Sequence, residues 1–209
     1  MAPRRAKAPK LATFDPVPST EFGLQILRDA KTRHALIGKV AMWYWLEDMA
    51  DHEYTKDVDF AVPQSRIPAI LQRLHATDAK VSQLSIGGVN AQVPEKGIRT
   101  DFIDRSNEEW GNLQPLYLEA IEAASRGEDR FRDVPVTPPE YLVAMKLGAG
   151  TDKDERDCIR LLAKVLDMDV ELTRNLTRKY VGPAGIGRLE ECLRRAGHPQ
   201  ARRAYTAGS

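Results

Sequence analysis

Two cysteines in 209 residues leave no disulfide framework. Cys158 and Cys192 form no Cys-x-x-Cys, so no zinc motif of that kind is present either. An excess of one charge is also missing. Lysine and arginine number 31, aspartate and glutamate 30, for a formal net charge of +1. No global field therefore draws the chain onto nucleic acid or a membrane. No apolar run approaches membrane-spanning length, and the N-terminus lacks the apolar stretch of a signal peptide. The chain reads as cytoplasmic. His34, His52, His75 and His198 show no ligand spacing. Gly182, Gly185 and Gly187 follow no predicted strand, which excludes a Rossmann or P-loop reading.

What is present can fold. At 42% hydrophobic and 29% charged, the chain can bury a core and stay in solution, as one large domain or a domain with a helical extension. Basic residues crowd both ends: Arg4, Arg5, Lys7 and Lys10 at one, Arg194, Arg195, Arg202 and Arg203 at the other. They read as solvated tails, with RNA contact as the alternative. Residues 1–18 read as a loose basic arm. Ser19 or Thr20 can cap a first helix. His34 to Gly38 is a short buried strand, and Lys39 to Ala50 a helix. Trp43, Tyr44 and Trp45 on that helix suit core or partner-facing surface better than base stacking.

The centre of the chain is Thr55-Lys56-Asp57-Val58-Asp59-Phe60-Ala61-Val62. On a strand, faces alternate with period two. Asp57, Asp59 and Ala61 share one face; Val58, Phe60 and Val62 share the other, the core face. Two acids side by side repel unless a cation lies between them, and a divalent metal takes hard oxygen ligands of this kind. A helix over Ser65 to Ala76 follows. Val81 to Val93 reads as a strand interrupted at Gly87-Gly88, and Pro94 to Gly97 as a turn. Ile98 to Ile103 is the returning strand of an antiparallel hairpin, with Asp101, Arg99 and Ile103 on one face. Helices then dominate: Asn107 to Ser125, disturbed at Pro115, then one begun by Thr137-Pro138, then Asp154 to Leu166, Val170 to Tyr180 and Ile186 to Ala196. Phe131 to Val136 reads as a connector or short edge strand. The expected organisation is a basic arm over 1–18, an α/β core over 19–106 and a helical region over 107–209.

The ordered set Leu36-Ile37-Gly38, Thr55-Lys56-Asp57-Val58-Asp59, Arg99-Thr100-Asp101-Phe102-Ile103, Lys146 and Asp152-Lys153-Asp154-Glu155-Arg156-Asp157 resembles the nucleotidyltransferase superfamily with the polymerase-β-like fold. It is most similar to the minimal and abortive-infection toxin-type bacterial nucleotidyltransferases. The resemblance implies an α+β fold: a nucleotidyltransferase-like mixed β-sheet flanked by helices, with a C-terminal helical bundle. It implies transfer of a nucleoside monophosphate from an NTP to a hydroxyl of RNA, a protein or a small molecule, with Mg2+ or Mn2+ as cofactor. Asp57, Asp59 and Asp101 would be the catalytic, metal-holding residues. Gly38, Lys39, Lys146 and Asp152 would bind the nucleotide. A toxin–antitoxin role, and RNA or a cognate partner protein as partners, belong to the same implication. A catalytically inactive module working through a partner is the alternative.

Two positions depart from that pattern. The family carries Gly-Gly or Gly-Ser after its first strand, where this chain has Gly38-Lys39; Lys39 would reach a phosphate as a charge. The branch often has Arg two residues before the Thr of its acidic stretch, where this chain has Glu53. Simpler roles stand beside the others. Asp101 can pair with Arg99, Asp104 is a rival third carboxylate, and Lys146 can snorkel. Asp152 and Asp154 complement a helix dipole, and Asp157 can pair with Lys153 or Arg160 along its helix.

Overall fold

The computed structural model describes residues 15–48, 50, 52–93 and 98–201. The basic arm up to Phe14, the turn at 94–97 and the basic tail from Arg202 lie outside them. The first helix, α1 (Val17–Asp29), starts earlier than the expected Ser19 or Thr20 cap, with Pro18 in its first turn. A proline there loses no hydrogen bond and presets the helical φ. β1 (Ala35–Ile37) is fully buried and runs into α2 (Gly38–Trp45). Gly38 makes that corner at φ +67, a conformation that favours glycine. α2 ends at Trp45 rather than near Ala50.

β2 (Asp57–Ala61) follows, then α3 (Ile67–Leu74). The expected single strand over Val81 to Val93 is two: β3 (Lys80–Gln83) and β4 (Gly88–Gln92), paired antiparallel. Gly87 and Gly88 stand at φ +102 and +106, so the interruption is a chain reversal. The Leu84 N–H donates to Gly88 O at 3.0 Å and closes it. β5 (Arg99–Ile103) pairs antiparallel with β4 and parallel with β2. The sheet order is β1-β2-β5-β4-β3.

Alternation sorts the two faces of the central strands. Val58 and Phe60 on β2 and Phe102 on β5 are buried, and the Phe60 and Phe102 rings stack at 5.9 Å. This side packs against α1, where Ser19 Oγ donates to Ile98 O at 3.0 Å and Thr100 Oγ1 to Ser19 O at 3.2 Å. A Cβ on Gly23 of α1 would run into the Phe60 ring, so the helix lies close on the sheet. The acidic side faces the later helices.

The helix expected from Asn107 is broken by Gly111 at φ +72. A short 3-10 turn over Glu108–Trp110 precedes α4 (Gln114–Arg126), with Pro115 in its first turn. β6 (Arg130–Phe131) and β7 (Val134–Pro135) make a small hairpin. α5 (Pro139–Ala149), α6 (Asp152–Lys164), α7 (Val170–Tyr180) and α8 (Pro183–Arg195) complete the chain. α6 starts at a capping box: Thr151 Oγ1 accepts from the Asp154 N–H, and the Asp154 side chain returns to Thr151. Cys158 and Cys192 are free thiols buried between α6 and α8. Trp45 Nε1 donates to Thr137 O at 2.9 Å, and Trp43 stacks on His52. Both indoles are thus engaged in packing.

Candidate functional site

The register of β2 against β5 sets Asp57 opposite Arg99 and Asp59 opposite Asp101. Parallel pairing and period-two alternation put all four side chains on one face of the sheet. The carboxylates of Asp57, Asp59 and Asp101 converge, with one oxygen from each lying within 4.8 Å of the others.

Their partners differ. Asp57 accepts from Thr55 Oγ1 at 2.8 Å and from Arg99 Nη2 at 2.8 Å. Asp101 accepts from Arg99 Nε at 2.7 Å and Nη2 at 2.9 Å. Asp59 accepts no hydrogen bond from any described residue. Burial, with Asp57 and Asp101 beside it, pushes the Asp59 carboxyl well above the usual range; Lys146 and Arg99 pull the other way without overcoming this. Burial pushes Asp101 up to about 6, against the pull of Arg99. Even half-buried, a carboxylate without a donor is costly. Three hard oxygen ligands around such a group fit a divalent cation.

A cleft of about 130 Å3 opens in front of Asp59. Gly38, Asp59, Lys146 and Asp154 supply its polar lining, and Ile103, Tyr117 and Met145 are part of its apolar lining. The left-handed turn at Gly38 brings backbone against Asp59; a Cβ there would collide with Asp59 Oδ2. Burial holds the Tyr117 phenol at about 12, so it stays neutral and can donate. A roomier cleft of about 480 Å3 lies at the far end of α2, beside Tyr44, Trp45, Asp48 and Asp129. It includes none of the three converging aspartates.

Behind the 130 Å3 cleft lies a chain of charges. Lys146 Nζ on α5 donates to Asp154 Oδ1 at 3.0 Å and Asp157 Oδ2 at 2.8 Å on α6. Burial alone would lower its pKa; Asp157 and Asp154 outweigh burial and hold the ammonium above its ordinary value. For Asp157, burial would raise the carboxyl, but Lys146 and Lys39 win and hold it low. Lys39 Nζ donates to the other Asp157 oxygen and, at 3.1 Å, to Glu53 Oε2. Arg160 Nη2 closes the series on Glu53 Oε1 at 2.6 Å. Arg160 and Lys39 hold Glu53 down at about 2.

The candidates thus separate. Gly38 and Lys146 line the cleft beside Asp59. Lys39 does not: its side chain is 3% exposed and its ammonium goes to protein carboxylates rather than to a place where a phosphate could meet it. Asp152 is exposed on a different hollow with Glu155, Arg156 and Arg195. The member of that acidic run that reaches the cleft is Asp154. Asp104 turns away and accepts from Ser106 N and Oγ at 2.9 and 2.7 Å. Tyr117 and Met145 escaped the sequence reading because each sits on an apolar helix face that looks like any other core stripe.

No protein-family model matches the chain, and no curated protein matches it. The solution structure of the antibiotic-resistance factor ANT(2'')-Ia is similar to it, with a TM-score of 0.53 at 15% identity, covering 80% of this chain and 92% of that one. The likeness shows a nucleotidyltransferase-like fold: a mixed sheet flanked by helices, with a helical C-terminus.

Proposed function

We propose that this protein is a metal-dependent nucleotidyltransferase that moves a nucleoside monophosphate from an NTP to a hydroxyl of RNA, a protein or a small molecule. The observation that carries this reading is Asp59: a half-buried carboxylate without a hydrogen-bond donor among the described residues, flanked by Asp57 and Asp101 within 4.8 Å.

Asp57, Asp59 and Asp101 would hold Mg2+ or Mn2+. When bound, such ions lower the pKa of an attacking hydroxyl and stabilise charge on the attacked phosphate and its leaving group. The rest is the work of the chain. Lys146, fixed by Asp154 and Asp157, presents its ammonium to phosphate oxygens in the cleft as a point charge. Gly38 lets backbone approach the same oxygens at the start of α2, where free N–H groups favour anions. Asp101, on the strand beside Asp59, would also be placed to accept the proton of the attacking hydroxyl.

The test is incubation with each α-labelled NTP, Mg2+ or Mn2+, and total RNA, protein or small-molecule extract. Metal-dependent labelling that disappears in Asp59→Asn identifies the donor base and the acceptor class. Labelling that persists in Asp59→Asn, or its absence with every nucleotide and acceptor, overturns the reading. Calorimetry gives an independent readout, since triphosphate should bind only when the metal is present.

A further inference from the structure

Arg99 sits among the acids as a cation the protein supplies itself. Both oxygens of Asp57 accept hydrogen bonds, one from Thr55 and one from Arg99. Both oxygens of Asp101 accept from Arg99. Nη2 is shared, reaching Asp57 at 2.8 Å and Asp101 at 2.9 Å. The seat follows from the strand register. Arg99 lies opposite Asp57 across the β2–β5 pair and two residues before Asp101 on its own strand, so its stem starts on the acidic face between them. The planar guanidinium forks onto both oxygens of Asp101 while Nη2 also reaches Asp57; an ammonium carries the charge without that fork.

Resting on the metal-dependent reading above, we propose that Arg99 is an internal competitor for the metal. Its guanidinium holds Asp57 against Asp101 in the metal-free protein and releases Asp57 when a divalent cation binds. A guanidinium and a dication on the same oxygens repel each other, so one must yield. The side chain can yield: it is 39% exposed and flexible along its stem. Asp59, which Arg99 does not touch, is the open point at which a cation arrives. The exchange keeps two neighbouring acids from standing unneutralised before metal arrives, and it sets the affinity of the triad lower than three free carboxylates would give.

The experiment is Mn2+ binding to the nucleotide-free full chain, by calorimetry or by the EPR signal of free Mn2+, for wild type, Arg99→Gln and Arg99→Lys, with thermal melts to confirm folding. Arg99→Gln should bind Mn2+ at least tenfold more tightly. Arg99→Lys should also tighten, by less, because its ammonium keeps the charge but loses the forked hold on both oxygens of Asp101. Unchanged or weaker binding in Arg99→Gln overturns the proposal and leaves Arg99 as a brace that aims Asp101. Tighter binding in Arg99→Gln with wild-type affinity in Arg99→Lys also overturns it, since distant charge rather than the seat would then set the affinity. Those outcomes leave metal binding by the triad intact. Failure of both wild type and Arg99→Gln to bind Mn2+ at millimolar concentration overturns the metal-dependent reading itself, and this proposal with it.

Discussion

Lys39 Nζ stands 3.1 Å from Glu53 Oε2, and these are the two positions where the chain departs from the pattern it resembles. One departure answers the other. A lysine in the first turn of α2 is unfavourable for the helix dipole, and an arginine at position 53 would have added a second cation beside it. Glu53 supplies the opposite charge, and Asp157 takes the remaining side of the ammonium. The lysine expected to reach a phosphate is buried and paired with two protein carboxylates.

Replacing Lys39 by Met should therefore damage the fold far more than replacing Glu53 by Gln. The Lys39–Asp157 pair is 3% and 1% exposed, and breaking a buried pair costs about 3–5 kcal/mol. Lys146 still neutralises Asp157, so the lower end is expected. The Glu53 side chain is 48% exposed, and such pairs contribute about 0.2–1 kcal/mol. Urea unfolding of both variants measures the difference; equal losses would contradict the buried arrangement.

Asp59→Asn should stabilise the metal-free protein while removing its response to metal. The native carboxylate carries a cost from burial and from its acidic neighbours, and the amide carries no charge. A gain on the order of 1 kcal/mol would raise the melting temperature by about 2–4 °C in a domain of this size. The wild type should melt higher when Mn2+ is added, through linkage, and the variant should not. A destabilised Asp59→Asn would mean that the carboxylate has a donor after all.

Asp101 makes metal-free stability depend on pH in an unusual direction. Its folded-state pKa, about 6, lies above the unfolded value, so the native state binds the extra proton. Its stabilising contribution is complete below the unfolded value near 3.9 and is lost as pH rises toward 6. Glu53, held down at about 2, acts oppositely, and its contribution is lost as pH falls from the usual glutamate range toward 2. Melting curves from pH 3.5 to 7 should show a decline from about pH 4 upward in wild type, shallower in Asp101→Asn, where Asp59, also held above the usual range, still contributes in the same direction.

Gly38→Ala tests the corner between β1 and α2. The left-handed conformation costs an alanine on the order of 1–2 kcal/mol, and its Cβ would displace the Asp59 carboxylate. Mn2+ binding should therefore be lost under conditions where circular dichroism still reports a folded chain. Normal metal affinity in a folded Gly38→Ala would show that the corner does not position Asp59.

Asp57, Asp59 and Asp101 were legible in the sequence because strand alternation has a short, strict period and the turn residues around it are loud. Asp57-x-Asp59 with Val58 and Phe60 between fixes its own inward and outward faces. The sheet was harder to read. Gly87-Gly88 looks like a flaw in one strand and is the reversal between two, since glycine marks both and only the φ values distinguish them. The destination of Lys39 could not be read at all. Its buried partner Asp157 lies 118 residues away, and nothing local to Gly38-Lys39 announces it. Among Asp152, Asp154 and Asp157 the choice turned on helix phase. Asp154 serves the cap with one oxygen and Lys146 with the other, while Asp152 points to solvent.

The Lys39–Asp157 contact also bears on modularity. It joins the start of α2 to the middle of α6, across most of the chain. A fragment ending after β5 would retain every triad carboxylate but lose Asp157 and Lys146. Lys39 would then stand at a helix N-terminus with Glu53 as its remaining partner in this series. The sheet that carries the acids therefore cannot be lifted out as a transplantable unit. Grafting the site onto another scaffold means carrying α5 and α6 with it, because an ion pair from the last third of the chain completes the first helix–strand corner.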